Sequence, residues 1–98
     1  MITVTEEAKK YVLEQSPKEG ATLSLLIREL EYNSWCGPRR VVQVELVEGE
    51  PKSNRFEDIT PQGEVIKVFA EKDLKSKIKG KKVDLIGWSY YKRLALLG

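Results

Sequence analysis

The 98-residue sequence contains no histidine and only one cysteine, and these two shortages exclude most familiar catalytic and metal chemistry. Without histidine, neither a Ser-His-Asp triad nor a Cys-His pair can form within one chain. Histidine-ligated zinc and the two-histidine, one-carboxylate iron site are excluded for the same reason. A single cysteine supplies neither a four-cysteine metal site nor an internal disulfide. We therefore expect no conventional enzyme.

An excess of one charge and long apolar runs are also lacking. The 17 basic and 15 acidic residues leave a net charge of +2. This balance argues against a dedicated nucleic-acid binder, which usually carries a concentrated basic excess. No run of about 18 apolar residues is present, so we expect no membrane span. The opening MITVTEEAKK lacks a signal-peptide pattern, and we expect an intracellular, cytoplasmic protein.

The hydrophobic pattern predicts one domain over residues 1–98 that begins with a helix. A short strand-like ITV comes first, and Thr5 is suited to be the N-cap of the helix that follows. The helix is predicted from four residues at the spacing of one helix face: Ala8, Tyr11, Val12 and Gln15. Pro17 and Gly20 are predicted to end it.

From residue 21 the period changes to two, which is typical of half-buried strands. The alternating apolar positions of the first two strands are Leu23, Leu25, Ile27, Val42, Val44 and Leu46. We expect these strands to pair antiparallel. The segment EYNSWCGPR between them is rich in turn-forming residues and is predicted to be a loop, with Cys36 near its tip.

The rest of the chain predicts a surface loop, further strands and one small helix. EGEPKSNRFED indicates the loop and EVIKVFA a strand, while EKDLKSKIKG suits a short helix that ends at Gly80. KKVDLIGWS and YYKRLALLG are predicted to form a terminal pair of strands. The sum is an α+β, mainly β fold with an N-terminal helix and one short second helix.

Four segments, taken in order, resemble one known family. These are the opening ITVTEEA, the Cys36-Gly37 pair, RFEDI, and DLKSKIKGKKVDLI with its leucine, glycine and aspartate. Together they are similar to the HesB/IscA-like family of A-type iron–sulfur carriers, in which a central-loop cysteine occupies the position of Cys36. The similarity spans nearly the whole chain, and the order and spacing of the segments carry it.

The resemblance implies packed β-sheets with an N-terminal helix, and association into dimers or higher oligomers. It also implies iron or a 2Fe–2S cluster held by three cysteines, two of them in a Cys-Gly-Cys element that these 98 residues lack. Only Cys36 carries over as a ligand. The expected function is that of an accessory or degenerate iron–sulfur assembly protein, with a homodimer and assembly or acceptor proteins as partners.

The candidate site is Cys36, and the residues around it are Trp35, Gly37, Arg39 and Arg40. A cluster takes about four ligands, usually thiolates, and a homodimer offers two. The others would come from a small thiol, a partner protein or harder oxygen ligands. The oxygen candidates in this chain are Glu31, Tyr32, Glu57 and Asp58.

Two other interpretations of Cys36 stay open, both without a cofactor. If Arg39 and Arg40 fold back towards Cys36, they favour its thiolate and a thiol redox function. If Cys36 is instead buried and Trp35 anchors the loop in a core or an interface, the cysteine is an inert apolar residue. The chain would then be a non-catalytic interaction module that keeps the fold without the cluster.

A further candidate surface is aromatic and basic, and it would suit single-stranded nucleic acid. Its residues are Trp88, Tyr90, Tyr91, Lys92 and Arg93. The alternative is that alternate aromatic residues fill the core and the others cover a sheet face. We favour the alternative, because no basic excess accompanies the aromatic residues.

Overall fold

A computed structural model describes residues 2–15, 23–87 and 90–98, of which 49% are in strands and 14% in helices. This composition confirms the predicted α+β, mainly β class. The elements in chain order are β1 (Thr3–Val4), α1 (Glu6–Glu14), β2 (Leu23–Ser34), β3 (Gly37–Glu48), β4 (Phe56–Asp58), β5 (Val68–Glu71), a 3-10 helix (Lys72–Leu74), β6 (Lys82–Ile86) and β7 (Arg93–Leu97). Within these ranges, no helix is long and apolar enough to cross a membrane.

The strands form two sheets. The smaller has the order β1-β6-β7, with β1 parallel and β7 antiparallel to β6. The larger has the order β3-β2-β5-β4, with β2 antiparallel to β3 and parallel to β5. The antiparallel pairing of the first two long strands and the terminal strand pair are thereby confirmed. The parallel pairings join segments far apart in the chain, and no local pattern predicted them.

Helix α1 begins as predicted. Thr5 is in extended conformation and its hydroxyl accepts a 3.3 Å hydrogen bond from the N–H of Ala8, which satisfies one of the free donors of the first turn. Ala8 and Val12 are buried and Tyr11 is half-buried, so three of the four predicted positions pack inwards. Gln15 is exposed and lies just beyond the last helical residue, so the prediction is wrong for that position. The helix ends at Glu14. The predicted stop signals in residues 17–20 lie outside the described residues.

The core joins both sheets and α1. Its largest fully buried apolar side chains are Leu25, Ile27, Val68 and Val83. Strand β2 is more deeply buried than the alternation predicted, because Ser24 and Leu26 on its opposite face are also buried. The pattern Ser-Leu-Leu-Ile places apolar residues on both faces of the strand, so burial is not confined to one side.

Two predicted elements are shorter than the sequence indicated. In EVIKVFA the strand begins only at Val68, because the chain bends at residues 65–66. The predicted short helix is a three-residue 3-10 helix, Lys72–Leu74, followed by turns up to Gly80. The helix therefore ends at Leu74 and not at Gly80, and the predicted end point is wrong. Gly80 lies in the last of these turns with φ +80°, a conformation that glycine adopts without strain.

Thr5 also connects the start of α1 to strand β6. Its hydroxyl donates a 2.7 Å hydrogen bond to Asp84 Oδ1, and the backbone N–H of Leu85 donates to the same oxygen at 2.8 Å. The Thr5 bond first, and then the Leu85 bond, lower the pKa of Asp84 from its ordinary value of 3.8. Ionised Asp84 therefore stabilises the fold above that value, and the contribution is lost as the pH falls through the lowered pKa.

We expect Thr5→Ala to lower the free energy of unfolding at pH 7 by about 0.5–2 kcal/mol, because α1 loses its N-cap. The measurement is the urea midpoint at pH 7 and at steps below pH 3.8. The deficit should shrink at low pH, where protonated Asp84 no longer attracts the hydroxyl. Thr5→Ser keeps the hydroxyl and is the matched control. A deficit that stays the same at every pH would contradict the role given to Asp84.

Candidate functional site

Cys36 lies at the end of a long β-hairpin and not in an irregular loop. Strands β2 and β3 pair without interruption from Leu23 and Glu48 to Ser34 and Gly37. Most of the predicted loop is therefore strand. Asn, Ser, Gly and Pro favour turns locally, but the continuous ladder of cross-strand pairs overrides that preference here. We call residues 28–41 the arm, because in the described chain β2 pairs with β5 only at residues 25–27.

The turn at the tip of the arm consists of Trp35 and Cys36 alone. The Ser34 hydroxyl donates a 2.7 Å hydrogen bond to the carbonyl oxygen of Gly37, which ties the two strands together just before the turn. Gly37 has φ +112°, a backbone conformation that residues with a side chain rarely adopt. The Gly that follows Cys36 in the sequence thus has a conformational reason to be there.

The side chains at the tip are exposed. Cys36 is exposed, Trp35 is 99% exposed, and Tyr32 nearby on the arm is 47% exposed. The interpretation of Cys36 as a buried, inert apolar residue is therefore wrong. Trp35 does not anchor the turn in the core of this chain either. The thiol is open to a ligand or a partner from solution.

The two arginines lie along the arm. Arg39 is opposite Tyr32 and Arg40 is opposite Glu31 in the strand pair. The Nη1 atom of Arg40 is 3.6 Å from Glu29 Oε1, nearer the base of the arm than the tip. The expected arrangement, in which both arginines fold back on Cys36, is therefore wrong for Arg40. The thiol redox interpretation loses the electrostatic support expected from Arg40.

The oxygen ligands considered for the site are not brought together. Glu31 and Tyr32 lie on the arm, but Glu57 and Asp58 lie on β4, at the opposite edge of the larger sheet. Two hydrogen bonds from Thr60, the side-chain bond first, lower the pKa of Asp58. Across residues 2–15, 23–87 and 90–98, no three His, Cys, Asp or Glu side chains are grouped to hold a metal.

The aromatic segment before β7 is also exposed where it is described. Tyr90 and Tyr91 are 95% and 80% exposed in the turn that leads to Arg93. Adjacent residues of a strand face opposite sides, so the alternative required one of these two tyrosines to fill the core, and that part of it is wrong. Trp88 lies outside the described residues. The candidate nucleic-acid surface remains a prediction.

Two features of the structure were not predicted from the sequence. A cleft of about 530 Å³ lies between β3 and β7, and the side of β3 that faces it carries the half-buried Val42, Val44 and Leu46. The hydroxyl of Ser24 is buried and has no hydrogen-bond partner in the described part of the chain. The alternation of residues 42–46 marked a strand, but it did not indicate which strand would lie across from it.

Comparison with known proteins does not assign the chain to a family. No family model matches the chain, and no curated protein matches it. The resemblance to HesB/IscA-like proteins therefore stays a prediction based on the order and spacing of four short segments.

Proposed function

We propose that this chain is an accessory protein of iron–sulfur cluster assembly, of the HesB/IscA type, and that Cys36 is its one ligand for iron or a 2Fe–2S cluster. The observation that supports the proposal is the exposed thiol at the tip of a paired β-arm. A thiol in that position reaches a metal bound by another molecule without any movement of the core.

The number of ligands in the chain favours transfer of a cluster over its storage. One chain supplies one soft thiolate where a cluster takes about four ligands. The others come from a small thiol such as glutathione, a second copy of the chain, or an assembly or acceptor protein. A cluster held by one ligand of this protein is released readily when a partner offers more thiolates. As part of the same proposal the protein works in the cytoplasm, because a free exposed thiol suits a reducing compartment.

We expect anaerobic reconstitution with iron, sulfide and glutathione to give visible cluster absorption that depends on Cys36. Cys36→Ser should lower this absorption to the level seen without protein, because serine is a poor ligand for the cluster. Ser34→Ala is the matched control, since it changes the neighbouring turn and keeps the thiol. Both variants should unfold near the wild-type urea midpoint. Equal absorption in wild type and Cys36→Ser would contradict the proposal.

A second candidate function is a non-catalytic interaction module, and the exposed aromatic tip favours it. Trp35 and Tyr32 offer large apolar surface at the end of the arm, and such residues dominate many protein interfaces. Measuring how variants of this chain bind a purified iron–sulfur acceptor protein distinguishes the two functions. The interaction module would be favoured if Trp35→Ala lost binding to the acceptor protein while Cys36→Ser kept it. The wild type should in that case also give no cluster absorption on reconstitution.

A further inference from the structure

A second cavity, of about 340 Å³, opens beside β1 and β4, which are end strands of the two described sheets. We call it the isoleucine pocket, and its lining residues are Ile2, Ile59, Lys75, Ile78 and Lys79. The first precedes β1, the second follows β4, and the other three belong to the turns between the 3-10 helix and β6. The volume is at the lower end of the range for small-molecule sites, roughly 300–1,000 Å³.

The turns after the 3-10 helix place both lysines on the same side of the pocket. The N–H of Ile78 donates a 3.1 Å hydrogen bond to the carbonyl oxygen of Leu74, which is the bond of a single α-helical turn. Lys75 and Lys79 are four residues apart, so they are neighbours on the surface of this turn. Leu74 and Ile78 are buried in the core and hold the turn in place. Both lysines are exposed at the rim.

The surface of the isoleucine pocket is almost entirely apolar. Ile2 and Ile78 are buried and Ile59 is half-buried, and the methylene stems of the lysines extend this apolar lining. A ligand with polar groups along its length, such as a peptide or a nucleotide, would lose bonds to water and find no side-chain partners on these walls. An alkyl chain has no such groups to lose. The lining therefore favours a ligand whose polar group is confined to one end.

The charge at the rim favours an anionic end. Lys75 Nζ is 3.3 Å from Glu57 Oε1, so its charge is partly balanced. Within the described part of the chain, no acidic side chain forms an ion pair with Lys79. Asp58, at the end of β4, accepts hydrogen bonds from the N–H and the hydroxyl of Thr60. The cation left for a ligand is therefore the ammonium group of Lys79.

We propose that the isoleucine pocket binds a free fatty acid of medium chain length, with its alkyl chain against the three isoleucines and its carboxylate at Lys79. This site extends beyond the proposed role of Cys36 and does not depend on it. Cys36 follows β2 at the tip of the arm, whereas Ile59 follows β4 at the opposite edge of the larger sheet. A failure of fatty-acid binding leaves the reconstitution experiment unchanged, and Cys36→Ser should bind the fatty acid as the wild type does.

The first test is a titration with decanoate of protein that carries carbon-13 in the δ1 methyl groups of isoleucine. The nuclear magnetic resonance signals of Ile2, Ile59 and Ile78 should shift and reach saturation, because these residues line the pocket. Ile27 and Ile86 do not line it and serve as internal references. The proposal would be overturned if the three pocket signals stayed in place at millimolar decanoate, or if the reference signals shifted as much.

The second test separates the contributions of the alkyl chain and of the charge. Each buried methylene should tighten binding by up to about fourfold, so hexanoate, octanoate and decanoate should bind with increasing affinity. Decylammonium has a long alkyl chain and the opposite charge, and it should bind at least about fivefold more weakly than decanoate. An affinity that does not depend on chain length contradicts the apolar site. Equal binding of decylammonium and decanoate contradicts the role of Lys79.

The third test uses variants of the rim and the wall. Lys79→Glu should weaken decanoate binding on the order of tenfold and strengthen decylammonium binding, because attraction and repulsion are exchanged. Lys72→Glu is the matched control, since it makes the same charge change in the preceding 3-10 helix at a residue that does not line the pocket. Ile59→Ala should weaken the binding of both ligands alike, because it removes apolar wall and no charge. Folding of each variant is checked by far-ultraviolet circular dichroism. A folded Lys79→Glu that binds decanoate like the wild type, or an equal loss in Lys72→Glu, would overturn the proposal.

Discussion

Replacing Leu25 with alanine should lower the free energy of unfolding by about 2–5 kcal/mol, a large part of the stability of a domain this small. Leu25 is fully buried in the core cluster that joins both sheets and α1. Its strand is paired on both sides, with Leu46 and Val68 directly opposite. Because the backbone is held from two sides, the cavity left by the missing methyl groups cannot close by collapse.

The measurement for Leu25→Ala is urea unfolding followed by far-ultraviolet circular dichroism. The matched control is Leu13→Ala, the same chemical change on the outer face of α1, where Leu13 is 64% exposed. The control should change the free energy of unfolding by no more than about 0.5 kcal/mol. If both variants lose the same stability, the core does not lie where the structure places it.

Gly87→Ala should be the second most destabilising change, although it adds a single methyl group. Gly87 has φ +100°, and a Cβ placed there would lie 1.9 Å from the carbonyl oxygen of Tyr91. The conformation alone costs a residue with a side chain about 1–3 kcal/mol. The contact adds to that cost, because the neighbouring atom is backbone and no side chain can turn away. The connection between β6 and β7 must therefore shift.

Gly63→Ala separates these two causes. Gly63 has φ +82°, similar in sign to Gly87, but nothing lies within 4 Å of an added Cβ. Gly63→Ala should lose only the stability that the unfavourable φ costs. The difference between the urea midpoints of the two variants therefore measures the cost of the close contact with Tyr91. Equal losses in both variants would show that the close approach contributes nothing.

The sequence predicted the fold best where the signal is local. The cap at Thr5, the buried positions of α1 and the alternation of Val42, Val44 and Leu46 depend on neighbours a few residues away. The site was predicted less well. The turn-forming residues around Cys36 indicated a loop, yet the pairing of β2 with β3 continues up to the two residues of the turn. Pairing energy gained along the whole ladder outweighed a local preference for irregular backbone.

The sequence by itself determines that one chain offers one thiolate and no imidazole, whatever its fold. A thiolate-ligated iron–sulfur cluster would therefore need further ligands from outside these 98 residues. Only the tertiary structure decides that Cys36 and Trp35 are exposed and that Arg40 contacts Glu29 instead of the thiol. It also decides that β3 lies at the end of its sheet, with β2 as its hydrogen-bonded neighbour among the described strands. The physical reason is that sheet order and burial arise from hydrogen bonds and contacts between residues distant in the chain, and a local period does not record them.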